Sequence, residues 1–127
     1  MPTINRKQPT RHQPRYHKDN KSAKYYGNKA WKELRNNYFD THPLCEVCNA
    51  HGVVTAAEHV HHRRPFLSGI DDNERMELLL NYNNLMSVCR VCHEALHIKR
   101  DRYKMVKVDQ LTDKEYNKAH NVLNFSD

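Results

Sequence analysis

The stretch Cys89-Arg90-Val91-Cys92-His93-Glu94-Ala95-Leu96-His97 decides the fold. Two thiols with two residues between them form a knuckle from which both sulfurs reach one ion. Cys45-Glu46-Val47-Cys48 has the same spacing, and 40 residues separate the two knuckles. Together they complete a tetrahedral four-thiolate site for zinc. Such a site has no open coordination position, so its role is structural. It clamps the Leu44 region onto Val88–His93, segments distant in sequence. A thioredoxin-like redox pair would need a single C-x-x-C in a βαβ context, and that context is missing. His93 and His97 follow at i and i+4 on a predicted helix, so they share a face suited to one divalent ion.

Working outward, apolar periodicity places a helix over Asn28 to Asp40, with Trp31, Leu34 and Tyr38 on one face. His42-Pro43 stops it. Val53 to His62 reads as a hairpin or two short strands ending before Pro65. Glu74 to Tyr82 reads as a short helix and Leu85 to Val88 as a strand. A helix runs from Cys92 to about Arg102, and Val106 and Val108 suggest a small strand. Thr112 and Glu115 have capping-box spacing and should open a last helix to about Leu123. The element order predicts a small α+β domain stapled by the cysteines.

The chain has 127 residues, enough for one domain, of which 38% are apolar, so burial alone builds only a modest core. The net charge is +6, and all of it lies in residues 1–24, while residues 25–127 balance. A uniformly basic wrapper is thereby excluded. A balanced domain with a cationic arm points to a polyanionic partner. We read residues 1–24 as a basic arm without fixed structure, 25–108 as the main domain and 109–127 as a helical tail. No apolar run is long enough for a membrane span. No secretory leader is visible, which suggests a reducing, cytoplasmic setting in which the thiols bind metal.

Several elements in order carry a family resemblance. They are the Trp31 helix from Tyr26 to Tyr38, Pro43-Leu44-Cys45-x2-Cys48, His61-His62-x2-Pro65, Asn84-Leu85 and Cys89-x2-Cys92-His93-x3-His97. From about Tyr25 to Arg100 the chain resembles the HNH endonucleases, with their ββα-metal (His-Me finger) fold. It is most similar to the small zinc-containing phage and prophage type. The resemblance implies a metal-dependent DNA endonuclease leaving 5′-phosphate and 3′-hydroxyl ends. It implies His62 as general base, Asn84 as its brace, and His61, His93 and His97 as ligands of one catalytic divalent ion (Mg2+, Mn2+, Ni2+ or Zn2+). Relatives often act beside the terminase in DNA packaging. Imidazole suits the work because it can take a proton from water near neutral pH.

In a regular strand His61 and His62 point to opposite faces, and strict alternation makes His59 the rival ligand. Arg63, Arg64 and Arg90 lie near the site in sequence, and Lys99 and Arg100 follow the histidine helix. These, with Arg6, Lys7, Arg11 and Arg15 of the arm, are the candidate DNA contacts, or else solvated charges. A zinc-stabilised DNA-binding protein without catalysis is the competing reading. A restriction or homing nuclease would normally need a further specificity domain. A monomer or weak dimer is expected, without membrane attachment.

Overall fold

The computed structural model describes residues 20–121, with side chains from 23 onward. Helix α1 (Asn20–Tyr26) leads through Gly27 into α2 (Lys29–Thr41). The first helix thus begins inside the stretch read as an unstructured arm. The rest of that arm, with Arg6, Lys7, Arg11 and Arg15, lies outside the described residues. Asn28 caps α2, its side-chain oxygen accepting from the Trp31 N–H at 3.1 Å. As the periodicity predicts, Trp31 and Tyr38 share the buried face.

Both knuckles open helices. Cys45 is the N-cap of the short α3 (Glu46–Ala50), its sulfur accepting from the Cys48 N–H. Cys89 does the same for Cys92 at the start of α5 (Arg90–Tyr103). The second cysteine of each pair therefore stands in a first helical turn, and α5 begins two residues before the expected Cys92.

Strand β1 (His59–His62) pairs antiparallel with β2 (Leu85–Val88), His61 opposite Met86 and His62 opposite Leu85. This two-stranded sheet is a wall between two cores. On one side Met86 and Val88 pack with the four cysteines, Val47, Leu96, Val108, Leu111 and Tyr116. On the other, Leu85 packs with Tyr25, Trp31, Tyr38, Phe66 and Leu79, the last from helix α4 (Asp72–Leu80). A lone hairpin is marginal in water, and packing on both faces makes this one stable.

Two expected strands are corrected. Only His59–His62 of the Val53–His62 run is strand. Val54 is 76% exposed, so the alternation there has no buried face to present. That segment instead wraps the first knuckle, with the Cys45 N–H on Thr55 O and the Ala57 N–H on Pro43 O. Val106 and Val108 form no strand either. Val108 makes one backbone bond, its N–H to Arg63 O at 2.9 Å. The capping box at Thr112 and Glu115 is present and opens α6 (Asp113–Ala119). That helix stops short of Leu123 because Asn121 turns left-handed at φ 58°.

Candidate metal centres and active site

The four cysteine sulfurs are buried, at most 3% exposed by residue, and none is in a disulfide. Cys48 Sγ lies 3.8 Å from Cys89 Sγ and 3.7 Å from Cys92 Sγ. A zinc–sulfur bond of about 2.3 Å puts the sulfurs of a tetrahedral site about 3.8 Å apart, so the cluster fits the ion. Its protonation points the same way. Hydrogen bonds from Cys89 and Cys92 hold the Cys45 thiol well below its ordinary range. The same crowding pushes Cys89 up to about 12 and Cys92 higher still. Four thiolates cannot share this space without a cation among them.

His61, His93 and His97 form a second cluster, their ligand atoms all within 4.8 Å of one another. His93 and His97 are one turn apart on α5, with Nε2 atoms 3.1 Å apart. Nitrogens about 2.1 Å from one ion are about 3.0–3.4 Å from each other, so the pair fits a shared metal. His61 Nε2–H donates to the Val108 carbonyl at 2.9 Å. Nδ1 therefore carries the lone pair, and a backbone carbonyl fixes the ring in the manner common around metal-bound imidazoles. Burial lowers the His61 pKa to about 4, against the opposing pull of that carbonyl. Among these three only His61 is buried, and the centre stays open on the α5 side.

The neighbours in β1 face opposite ways. His59 stacks on His93, with ring centroids 4.8 Å apart, and shares the α5 face with His61. His62 turns into the aromatic core, 4.7 Å from the Trp31 ring and 5.1 Å from Phe66. Its Nε2–H donates to Leu79 O at 3.2 Å, which leaves the lone pair on Nδ1. Burial lowers this pKa too, to about 4, so the ring is neutral at physiological pH. Asn84 ties the same corner together. Its Nδ2 donates to Arg64 O at 2.9 Å and Leu78 O at 3.0 Å, and its Oδ1 accepts from the Arg64 N–H at 2.9 Å. It thus joins the end of β1 to the end of α4, where the Leu79 carbonyl emerges.

The candidate phosphate contacts divide. Arg63 is committed inward, to Asp109 at 3.3 Å, Glu46 at 3.5 Å and Leu85 O. Lys99 likewise pairs with Glu115 at 3.1 Å and donates to Gln110 O. Arg64, Arg90 and Arg100 pair only loosely, at 3.6 Å, with Glu74, Glu94 and Asp101.

Sequence reasoning missed the Val108 and Leu79 carbonyls, which no residue type announces. It also missed Glu46, which accepts from the Ser87 N–H at 2.8 Å and from the Tyr38 hydroxyl. His120, 3.2 Å from Cys92 Sγ, was missed as well. Its i+4 spacing from Tyr116 on the capped α6 was the available signal.

Two antiparallel strands and a following helix thus carry a histidine cluster on their shared face and a four-cysteine cluster beside it, each able to hold a metal ion. Residues 45–99 match the family model for HNH endonuclease. A search of curated proteins returned no match. Among solved structures, the chain is similar to the crystal structure of the HNH endonuclease of deep-sea thermophilic bacteriophage GVE2 with manganese ion. The two share 28% identity at a TM-score of 0.55, over 74% of this chain and 100% of that one. These findings identify residues 45–99 as an HNH endonuclease domain.

Proposed function

We propose that this nuclease hydrolyses DNA phosphodiester bonds at the three-histidine centre, with His62 as general base and Asn84 as its brace, while the four-cysteine centre holds structural zinc. The gathering of His61, His93 and His97 into one group carries the reading. His61, His93 and His97 would hold a divalent ion (Mg2+, Mn2+, Ni2+ or Zn2+), which would supply charge neutralisation to the scissile phosphate and its leaving oxygen. Manganese in the phage relative supports that class of ion.

His62 stands at the last position of β1 on the other side of the sheet from His61, so this reading requires the scissile phosphate and its water to reach it round the end of the strand. There it accepts the proton of the attacking water at Nδ1, the nitrogen its bond to Leu79 leaves free. The imidazolium so formed keeps its Nε2–H on the Leu79 carbonyl, which stabilises the new charge. Asn84, donating to Arg64 O and to Leu78 O, ties the chain just after β1 to the end of α4 beside that carbonyl. Arg64, Arg90 and Arg100 are the free-standing candidates for phosphate contact, since surface pairs such as Arg90–Glu94 hold by under about 1 kcal/mol and exchange readily. Arg6, Lys7, Arg11 and Arg15 add sequence-independent, salt-sensitive affinity. The bacteriophage source of the similar structure supports a phage or prophage setting. Action in the bacterial cytoplasm beside the terminase in DNA packaging is the part of this proposal that rests on the family resemblance alone. No helix among the described residues is long and apolar enough to cross a membrane.

The test is cleavage of supercoiled plasmid with each ion, with and without EDTA. Wild type should cleave only with ion, and His62→Ala should be slower by about 10²–10⁴-fold. Full-rate cleavage by His62→Ala removes the base assignment. DNA binding without cleavage under every ion makes the protein a non-catalytic binder.

A further inference from the structure

We infer that α6 is the outer coordination shell of the four-cysteine centre, with His120 and Tyr116 holding the sulfurs of Cys92 and Cys48 and slowing the loss of zinc. The inference rests on the zinc reading above. The residues lie beyond the segment that matches the HNH family, which ends at residue 99. His120 Nε2 stands 3.2 Å from Cys92 Sγ and 4.0 Å from Cys48 Sγ. Tyr116 is buried beside the cluster, and burial first, then the nearby Cys48 thiol, raise the pKa of its hydroxyl. The Tyr116 ring is sandwiched between His51, 4.3 Å away and nearly parallel, and His120 at 4.2 Å.

The sandwich is fastened to both halves of the clamp. His51, the residue that ends the first knuckle's helix, bonds Leu111 O at 3.0 Å and Asp113 at 2.9 Å. Lys99, on the helix of the second knuckle, reaches Gln110 O and Glu115. α6 therefore rides on the centre as a lid of aromatic rings whose polar atoms face sulfur.

The chemistry follows from charge. Four thiolates around Zn2+ leave a net charge of −2 on the sulfurs. An N–H or O–H donated to a thiolate disperses that charge and makes the sulfur a weaker base. A sulfur must take a proton or meet a competing ligand before the ion can leave, and the lid opposes both. Partners of this kind around metal ligands are typically worth about 10–100-fold in metal affinity.

The experiment measures zinc release from the full-length, zinc-loaded protein to a colorimetric chelator. His120→Ala should release zinc about 10-fold faster and Tyr116→Phe should release it faster by a smaller factor. His120→Gln, whose amide can still donate, should recover part of the loss, and Lys118→Ala on the same helix should match wild type. In Co2+-substituted protein the thiolate-to-metal absorption should shift for His120→Ala and Tyr116→Phe and stay put for Lys118→Ala. Wild-type release rates and an unshifted band in both His120→Ala and Tyr116→Phe would overturn the inference and leave the zinc reading standing. A wild type that holds no zinc overturns both.

Discussion

The two metal centres grow from adjacent turns of one helix yet are built to opposite ends. Cys89 and Cys92 cap and open α5 and lie in a sealed core with Cys45 and Cys48. One residue further, His93 begins a face that remains half-exposed through His97. Sulfur on every side leaves nothing for a substrate, so the first centre joins chain to chain. Three imidazoles leave positions for phosphate and water, which is why the proposed chemistry is assigned to the second. The two can stand so close because the helix turns its ligands by about 100° per residue. It directs thiols inward and imidazoles along the sheet.

That contrast breaks apart under substitution. The largest effect is expected at the closed centre. Cys45→Ser should remove the cooperative thermal transition, because structural zinc contributes on the order of 10 kcal/mol in small domains, comparable to the whole stability of a domain. Calorimetry checks it, and an unchanged transition means the clamp is not structural. The open centre should separate activity from architecture. Asn84→Ala leaves the Arg64 and Leu78 backbone groups without their partner and should cost about 2–3 kcal/mol. Cleavage should fall at least about tenfold while zinc content stays at the wild-type level. Joint loss of zinc and activity would mean that the two centres are not independent.

The smallest expected effect is on the C-terminal strap. The Thr112 N–H, first, and then Lys99 hold the Glu115 carboxyl below its ordinary range. A carboxyl whose folded pKa is depressed stabilises the fold above its unfolded pKa and loses that contribution as pH falls through the folded value. Thermal melts of wild type should therefore drop as the pH falls below about 4.5. Glu115→Gln should show a lower melting temperature at neutral pH and a shallower acid decline, the difference under about 1–2 kcal/mol. Parallel pH profiles for the two proteins would show that this carboxylate contributes nothing.

Much of the open and closed centres was legible because ligand chemistry is spelled by residue type and spacing. Cys45, Cys48, Cys89 and Cys92 meet as the two knuckles require, and His93 joins His97 as the helical repeat requires. The opposite aim of His61 and His62 also followed from strand alternation. What holds those rings was not legible, because a backbone carbonyl exists at every position and only the tertiary path selects Val108 and Leu79. Arg63 shows the same limit for charge. Its sequence neighbours suggest a phosphate contact, whereas Glu46 and Asp109, 17 and 46 residues away, take its guanidinium. The strand expected at Val53 failed because alternation without a face to bury against is only a pattern.

The order of these fastenings along the chain has a consequence for synthesis. Leu79 fixes His62, Val108 fixes His61, Tyr116 meets Cys48 and His120 meets Cys92. In each case the ligand or base is translated first and its fastener later. A nascent chain therefore carries the thiols and imidazoles of both centres, with Leu79 already in place, before Val108, Tyr116 and His120 exist. The ribosome delivers three of the four fasteners last, so the His61 ring takes its final setting only after Val108 has been added.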